Sequence, residues 1–197
     1  MRWRWKICGT LGLALALLAA GGSRRVAEAD MAPTIATGDW VWVLPGGEIR
    51  RGDVVLLLDP LDPERTILRR VVGNPGQSVR FDEGGIRVGP KRIRQKIMGD
   101  DGASTVMQET IWSKPPAQSI DWLTRKRTGA SAAWSAEAIE VPAGHRYLIA
   151  DNRDDALDSR WWGPVSDAEI QGVVRIRWGD ESTWRPRFAW LMGTDQD

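Results

Sequence analysis

Side chains that could carry catalysis are few in this 197-residue sequence, and their spacing does not group them. The only histidine, His145, has no cysteine or second histidine near it, so a zinc site is not indicated. Ser159 and Ser78 carry hydroxyl groups, and Lys91 and Lys96 are amines that could act as bases. Nothing in the spacing pairs either serine with either lysine. We therefore expect no metal site, no cofactor and no catalytic Ser–Lys pair among these residues.

A polar block at residues 151–160 places acids and arginines in close succession, as Asp-Asn-Arg-Asp-Asp-Ala-Leu-Asp-Ser-Arg. Asp158, Arg153 and Arg160 are candidates for an active site, because acids and guanidinium groups can bind and polarise a substrate. The alternative is a loop whose side chains hydrogen-bond one another and so shape the backbone. We favour the alternative.

Short apolar or β-branched runs, separated by Gly, Pro and Asp, recur after residue 30. They predict strands at residues 40–44, 54–58, 66–72, 78–81, 85–88 and 147–150. No stretch in this part keeps a helical apolar period, and residues 166–170, which begin with a serine suited to an N-cap, predict one or two turns of helix. The pattern is typical of a β-barrel or a β-sandwich.

Residues 95–136 differ from the rest of the chain, because they are polar and contain the helix and strand breakers Pro115 and Pro116. We interpret them as an insertion, or cap. The predicted organisation is a β-domain formed by residues 30–94 and 137–180, the cap at residues 95–136 and a C-terminal tail at residues 181–197.

The N-terminus has the features of a membrane segment. Residues 7–23 are uncharged and rich in Leu and Ala, and residues 1–6 combine Trp3 and Trp5 with basic side chains. A helix of this length measures about 25 Å, which is short of the roughly 30 Å hydrocarbon core. It can span if the bilayer thins and the flanking basic residues extend to the interface.

A secretory signal peptide is the alternative, because Ala27, Glu28 and Ala29 form an Ala-x-Ala cleavage site. Arg24 and Arg25 stand between the apolar run and this site, however, so we favour a retained anchor. The basic residues at positions 1–6 then place the N-terminus in the cytoplasm. We expect a single-pass protein of the inner (plasma) membrane whose domain is periplasmic or otherwise extracytoplasmic.

The formal net charge is +1, from 27 basic and 26 acidic residues. A chain so nearly neutral lacks the cationic surface that nucleic acid attracts. We expect no nucleic-acid partner.

Four boxes follow one another in the chain. They are residues 30–34 (Asp-Met-Ala-Pro-Thr) with 38–41 (Gly-Asp-Trp-Val), residues 51–55 (Arg-Gly-Asp-Val-Val), residues 68–76 (Leu-Arg-Arg-Val-Val-Gly-Asn-Pro-Gly) and residues 151–160. In these boxes the chain resembles type I signal peptidases, also called leader peptidases. The resemblance assigns backbone-shaping roles to Met31, Pro33, Arg70, Gly73, Pro75, Gly76, Asp151, Asn152, Arg153, Asp158, Ser159 and Arg160.

The resemblance also implies a fold and a chemistry. The fold is mainly β: a coiled antiparallel β-barrel or sheet domain with a small β insertion, an apolar surface near the membrane and one N-terminal transmembrane helix. In the family, a serine attacks the carbonyl group that follows an Ala-x-Ala segment of an exported preprotein. A buried, neutral lysine is its general base.

This chain lacks those groups at the matching positions. Asp30 stands in place of the serine, and Arg69 stands in place of the lysine. A guanidinium group stays protonated throughout the pH range in which proteins are folded and cannot act as the base. Two supporting serines of the family, one that stabilises the oxyanion and one that orients the lysine, are matched by Glu28 and Ala156. We therefore expect no catalytic residues.

Asp30 and Arg69 are complementary in charge. If the family geometry holds, they face each other and can form an ion pair, with one or two hydrogen bonds, in place of the hydroxyl–amine pair.

The function we predict is that of a non-catalytic signal peptidase-like protein, a binding or accessory subunit on the exported side of the membrane. Its partner would be the membrane together with an exported preprotein, an active signal peptidase or a larger membrane complex. An active type I signal peptidase and a purely structural subunit are the alternatives. The sequence contains 12 tryptophans. Five of them, Trp161, Trp162, Trp178, Trp184 and Trp190, belong either to the core or to a patch that rests on a membrane or a partner.

Overall fold

The computed structural model describes residues 21–82, 85–100, 102–111, 120–128, 137–180 and 188–193. Within these residues the chain forms fifteen strands, one short α-helix and one 3-10 turn. The strands are β1 (Gly22–Arg25), β2 (Trp40–Leu44), β3 (Val54–Asp59), β4 (Asp62–Gly73), β5 (Ser78–Asp82), β6 (Gly85–Val88), β7 (Lys91–Arg92), β8 (Arg94–Asp100), β9 (Ser104–Ile111), β10 (Ile120–Arg127), β11 (Ile139–Glu140), β12 (His145–Ile149), β13 (Val165–Ser166), β14 (Ile170–Trp178) and β15 (Phe188–Trp190). The helix α1 is Ser159–Trp162, and the 3-10 turn is Asp167–Glu169.

The principal sheet has the strand order β1-β2-β14-β3-β4-β12-β13, and β15 pairs with β14 beside β3. Its pairings are antiparallel. A four-stranded sheet has the order β11-β5-β6-β7, and a three-stranded sheet has the order β10-β9-β8. The mainly β fold is therefore confirmed.

The barrel alternative is not seen in the described residues. The principal sheet is an open path that ends at β1 and β13 instead of a closed ring. Its two end strands are short, with four residues in β1 and two in β13, and neither offers a long edge at which a ring could close.

The predicted membrane segment lies outside the described residues except for its last three positions. Gly22 and Ser23, which we assigned to its end, belong to strand β1 instead. Searched over the residues that the structure describes, no helix is both long enough and apolar enough to cross a membrane.

All six predicted strands are present, and several extend further than the apolar runs. Strand β14 was not predicted, although it lies between β2 and β3 at the centre of the principal sheet. Its pairing with β2 shifts between Val174 and Ile176, and after this bulge Arg177 is buried while Ile176 is partly exposed. The shift breaks the alternation of apolar and polar residues by which a strand is recognised.

Strands β9 and β10, which lie in the segment that we predicted to be a cap, share an apolar core with strands of the predicted β-domain. Ile111 and Trp122, on β9 and β10, pack in one apolar cluster with Val72, Tyr147 and other residues of β4, β5, β6 and β12. A second contact joins β10 to the loop after β12, where the backbone N–H of Arg125 donates to the Asp151 carbonyl at 2.8 Å. The cap therefore contributes to the packing behind the candidate site.

Candidate functional site

Asp30 and Arg69 come together from two separate elements. Asp30 lies in the turn that follows β1, and Arg69 lies in β4. Arg69 Nη2 is 2.9 Å from Asp30 Oδ2, and the two side chains are 3% and 23% exposed. The ion pair expected from the sequence is therefore present, with the arginine buried and the carboxylate reaching solvent.

The guanidinium group of Arg69 is held mainly by backbone carbonyls. Its Nε and Nη2 both donate to the carbonyl oxygen of Leu157, at 2.9 and 2.7 Å, and Nη1 donates to the Leu68 carbonyl at 2.6 Å. The indole ring of Trp162, in α1, lies 5.9 Å from its central carbon, within range of a cation–π interaction. Arg69 thus donates two hydrogen bonds to the Leu157 carbonyl and makes a single contact with Asp30.

Ala156 lies at the mouth of a cavity of about 190 Å³ whose lining includes Asp30, Arg69, Leu157 and Trp162. The methyl group of Ala156 donates no hydrogen bond, and the Leu157 carbonyl holds the Arg69 side chain from the same loop. The neighbouring residue Leu157 therefore orients the Arg69 side chain through its backbone carbonyl, whereas the resemblance places a serine hydroxyl at position 156.

Glu28 pairs with Arg65, an exposed residue of β4 that precedes the buried part of the strand. Arg65 Nε donates to Glu28 Oε1 at 2.8 Å, and Arg65 Nη2 contacts the same oxygen. The hydrogen bond to Glu28, and then the charge of that carboxylate, raise the pKa of the Arg65 guanidinium. Glu28 therefore offers a carboxylate already engaged by a cation, instead of a donor for an oxyanion.

The backbone around Asp30 is fixed by Asn152. The Asn152 backbone N–H donates to the Asp30 carbonyl at 2.9 Å, and its side-chain nitrogen lies 3.4 Å from the Ala29 carbonyl. Met31 is buried in the cluster with Ile35, Val41 and other residues of the principal sheet. Pro33 follows a cis peptide bond and is partly buried.

Arg70 and Asp151 form a buried ion pair behind the site. Arg70 Nε and Nη2 donate to the two carboxylate oxygens of Asp151 at 2.8 and 2.6 Å, and Nη1 donates to the Gly52 carbonyl at 2.7 Å. The guanidinium group also lies 5.1 Å from the ring of Trp122 in the cap. Arg70 thus links β4, the loop after β12 and the cap.

Asp158 and Arg160 hydrogen-bond each other and the backbone of the 151–160 loop. Arg160 donates to both Asp158 oxygens at 2.7 and 2.8 Å and to the Arg153 carbonyl at 2.6 Å. Asp158 also accepts from the Ala150 backbone N–H at 2.9 Å, and Ser159 Oγ accepts from the Leu148 backbone N–H at 2.9 Å. These side chains therefore satisfy backbone and guanidinium groups of the loop.

The glycine and proline residues of the third box shape the end of β4. A Cβ atom on Gly73 would lie 2.6 Å from Val79 Cγ2, so the tight packing requires glycine. Gly76 has a φ of 78°, which favours glycine in the turn that leads to β5. Pro75 is exposed in that turn.

The candidate serines and lysines are not brought together. Ser159 is buried, whereas Lys91 and Lys96 are exposed on β7 and β8. Ser78 is partly buried on β5. Potential metal ligands are not grouped either: the described residues contain no group of three or more His, Cys, Asp or Glu side chains that could hold an ion.

Glu109 is a buried acid in the cap that sequence reasoning missed. It accepts from Arg153 Nη2 at 2.5 Å, from Trp122 Nε1 at 3.1 Å and from Gln95 Nε2 at 2.8 Å. A signal was available in β9, where positions 104, 106, 109 and 111 are buried, but the shift from even to odd positions obscures the alternation.

Asp53 was also missed as a structural acid. It accepts from Arg175 Nη1 at 2.7 Å and from the backbone N–H groups of Arg50 and Gly193, at 2.8 and 2.5 Å. Burial raises the pKa of Asp53, and the charge of Arg175 opposes that shift. Asp53 therefore joins β3, β14 and the segment after β15.

A groove distinct from the cavity at Ala156 also has Asp30 in its lining, and Asp30 is the residue that the two linings share. It has a volume of about 190 Å³ and lies between the segment from β1 to Asp30 and the residues Thr66, Ile67 and Leu68 of β4. Met31, Val41, Leu56 and Leu68 supply an apolar floor. Strand β4 pairs with β3 on one side along this stretch, while its pairing with β12 on the other side reaches only to Arg70. Within the described residues, the edge of β4 at Thr66–Leu68 therefore has no neighbouring strand.

Within the described residues, the fold and the site define a mainly antiparallel β protein in which a strand edge without a neighbouring strand lies beside a buried arginine paired with a partly exposed aspartate. The family model described as "Signal peptidase, peptidase S26" matches residues 1–179. The chain belongs to this family.

Several curated relatives support that assignment. The chain is 28% identical to signal peptidase I of Pseudomonas aeruginosa over 175 residues, which cover 78% of this chain and 60% of the relative. It is 30% identical to mitochondrial inner membrane protease subunit 1 of Saccharomyces cerevisiae over 180 residues, covering 85% of this chain and 76% of the relative. Signal peptidase I V of Bacillus subtilis is 23% identical, with coverage of 86% and 95%.

The chain spans 60% and 63% of the length of the two Pseudomonas relatives that it matches. Among solved structures, signal peptidase I of Enterococcus faecalis matches with a TM-score of 0.40 at 18% identity, over 64% of this chain and 97% of that one.

Proposed function

We propose that this chain is a non-catalytic member of the signal peptidase family that binds an extended polypeptide segment on the exported side of a membrane. The observation that carries the proposal is the Asp30–Arg69 ion pair, which occupies the positions of the family's nucleophile and base. A carboxylate held by a guanidinium group is a poor nucleophile toward a peptide bond, and the guanidinium group cannot accept a proton.

The binding function is supported by the groove. Among the described residues no strand pairs with the edge of β4 at Thr66–Leu68, which presents backbone groups beside an apolar floor, and of these the Leu68 carbonyl already accepts from Arg69. Proteins use such an edge to add an extended peptide as a further strand, where backbone hydrogen bonds give affinity and pockets read alternate side chains. An exported preprotein, an active signal peptidase or another subunit of a membrane complex could each supply such a segment.

An active signal peptidase is the second candidate, because curated relatives over most of the chain carry that name. To separate the two functions, the full-length protein in detergent is incubated with a preprotein that contains an Ala-x-Ala site, with an active signal peptidase as the positive control. We expect the preprotein to stay intact while it crosslinks to residues of the groove. Specific cleavage after Ala-x-Ala would overturn the proposal, and crosslinking to neither β4 nor Asp30 would favour a purely structural subunit.

Membrane contact is the other part of the proposal, and tryptophans on the outer face of the principal sheet support it. The rings of Trp40 and Trp178 stack at 6.2 Å, and Trp42 pairs with Ile176, which also pairs with Trp190 on β15. Trp40 and Trp190 are 40% and 64% exposed. Tryptophan favours the interface between lipid and water, where its apolar ring and its polar N–H are both satisfied.

The tryptophans of this sheet face differ from the five that the sequence suggested for a patch. Trp161 and Trp162 belong to α1, with Trp162 against Arg69, and Trp184 lies outside the described residues. If the sheet face rests on lipid, brominated lipid in reconstituted vesicles quenches the tryptophan fluorescence, and Trp40→Ser with Trp190→Ser reduces that quenching. Equal quenching in the variant and in the wild type would refute membrane contact by this face.

A further inference from the structure

Three arginine side chains link the segment from β1 to Asp30 with β4, and of these three only Arg24 lines the groove, whereas Arg65 and Arg69 line the cavity at Ala156. Arg24, on β1, donates through Nη1 to Thr66 Oγ1 on β4 at 3.4 Å. Arg65 reaches back from β4 to Glu28, and Arg69 reaches back from β4 to Asp30. Two of the three cations therefore face a carboxylate, and the third, Arg24, contacts a neutral hydroxyl group.

The contact of Arg24 is the weakest of the three. Arg24 is exposed, and 3.4 Å is long for a hydrogen bond to a neutral acceptor. A carboxylate brought to this place would make a charge-assisted hydrogen bond, which is roughly twice as strong as a neutral one. The groove thus contains a cation ready to exchange Thr66 for an acidic ligand.

The register of β4 fixes where that acid would lie on a bound peptide. Thr66 and Leu68 are two residues apart on the strand, so their side chains lie on one face, and both line the groove. A peptide added to the β4 edge presents alternate residues to that same face. One of these residues would lie over the apolar floor at Leu68, and another, two positions away, would lie beside Thr66 and Arg24.

We propose that the groove selects an extended peptide in which an acidic residue stands two positions from a small apolar residue. This inference rests on the proposed peptide-binding function. An Ala-x-Ala segment presents two small side chains to the groove, whereas the peptide proposed here presents one small and one acidic side chain. Arg24 is the residue that would bind the acidic side chain. The direction of the peptide along β4 decides whether the acid precedes or follows the small residue.

Fluorescence anisotropy with labelled nine-residue peptides tests the inference on the full-length protein in detergent. The peptides share one sequence and differ at the centre: Asp-Ser-Ala, Ala-Ser-Asp, Asn-Ser-Ala, Ala-Ser-Asn, Lys-Ser-Ala and Ala-Ser-Ala. We expect one of the two aspartate peptides to bind at least about fivefold more tightly than its asparagine counterpart, with a preference that weakens as salt rises. If neither aspartate peptide exceeds Ala-Ser-Ala, the inference fails and the peptide-binding function stands. If no peptide binds, the proposed function fails as well.

Variants at Arg24 identify the residue responsible. Because Arg24 is exposed on an edge strand, Arg24→Gln is expected to fold, which near-UV circular dichroism and the melting temperature check. Arg24→Gln should abolish the aspartate preference while Ala-Ser-Ala still binds, and Arg24→Glu should reverse the preference, so that the preferred aspartate peptide binds less tightly than Ala-Ser-Ala. The control is Arg80→Gln, at a partly buried arginine of β5 whose side chain is 43% exposed and does not line the groove, and it should leave the preference unchanged.

Anionic lipid is the competing ligand for Arg24. If Arg24 serves lipid headgroups, Arg24→Gln weakens binding to vesicles that contain phosphatidylglycerol and leaves the ranking of the peptides unchanged. That result would overturn the inference, because the aspartate preference would not depend on Arg24.

Discussion

The guanidinium group of Arg69 lies 2.9 Å from the carboxylate of Asp30, with the arginine 3% exposed and the aspartate 23% exposed. The asymmetry follows from the elements that carry them, because Arg69 is in the middle of β4 and Asp30 is in a turn at the edge of the groove. The buried cation has two backbone carbonyls as further partners, Leu68 and Leu157. Asp30 therefore matters to Arg69 mainly as a balancing negative charge, because backbone carbonyls already accept hydrogen bonds from the guanidinium group.

Removal of the carboxylate alone should be more harmful than removal of both charges. Asp30→Ala leaves a buried guanidinium group without this carboxylate, whereas Asp30→Ala with Arg69→Met removes the charge as well. We expect the double variant to be more stable than Asp30→Ala, with a coupling energy of about 1–2 kcal/mol, below the roughly 3–5 kcal/mol cost of breaking a fully buried pair because Asp30 reaches solvent. Urea unfolding of the four proteins in the cycle measures the coupling.

An exposed ion pair supplies the control for that cycle. Arg127 and Asp155 lie 2.5 Å apart, and both side chains are largely exposed. Asp155→Ala should change the free energy of unfolding by less than about 1 kcal/mol. A coupling between Asp30 and Arg69 close to zero, or a double variant less stable than Asp30→Ala, would contradict the role assigned to the pair.

Reinstating the family's residues should restore chemistry if the fold retains the site. Asp30→Ser with Arg69→Lys supplies a hydroxyl group and an amine, and Glu28→Ser with Ala156→Ser supplies the two supporting hydroxyl groups. Because oxyanion stabilisation alone is worth roughly 10²–10³-fold, we expect the quadruple variant to cleave an Ala-x-Ala preprotein at least tenfold faster than the double variant. The rates are measured by mass spectrometry of the products.

The wild type is the reference for that series and should give no product above the uncatalysed background. A quadruple variant that folds but cleaves nothing would indicate that the loss of activity extends beyond these four positions. Faster cleavage by the wild type than by the quadruple variant would refute the non-catalytic function.

The sequence predicted the residues that obey local rules and missed those that depend on distant contacts. Runs such as residues 54–58 and 66–72 are apolar enough to identify a buried strand without knowledge of its neighbours. The contact between residues 30 and 69 was predicted from their opposite charges, because the family geometry brings these two positions together. Neither inference required the path of the chain between the elements.

The partners of Arg69 could not be predicted in the same way. Its two-pronged contact to the Leu157 carbonyl depends on the conformation of the 151–160 loop, which Asp158 and Arg160 set through contacts with Ala150 and Arg153. Backbone carbonyls leave no mark in a sequence, because every residue carries one. The open edge of β4 could not be predicted either, because it depends on where the pairing with the distant strand β12 stops, which is at Arg70.

Glu109 should be essential for stability where β9 and β10 contact the 151–160 loop. It is 0% exposed and receives hydrogen bonds from Arg153, Trp122 and Gln95. Glu109→Gln keeps the shape but removes the charge that balances Arg153, so we expect a loss of about 2–4 kcal/mol in the free energy of unfolding. Glu64→Gln, at an exposed acid on β4, is the control and should lie within about 0.5 kcal/mol of the wild type. Equal effects of the two substitutions would contradict a structural role for Glu109.

Tyr147 should make the protein lose stability at alkaline pH. It is the only tyrosine in the chain and is 1% exposed, packed between β4 and β5. Burial, and then the negative charge of Asp158, raise the pKa of the Tyr147 hydroxyl above its usual value of 10 in spite of the opposing charge of Arg160.

Because the folded-state pKa is raised, the stabilisation is fully present below pH 10 and is lost as the pH rises toward the folded-state pKa. The unfolded chain releases the proton first, so the free energy of unfolding should fall by about 1 kcal/mol between pH 10 and pH 11 relative to a Tyr147→Phe variant. Urea unfolding at both pH values gives this difference, and absorbance at 295 nm should report tyrosinate only when the chain unfolds. A tyrosinate signal with a midpoint near pH 10 in protein that keeps its near-UV circular dichroism would show that the hydroxyl group is not buried as described.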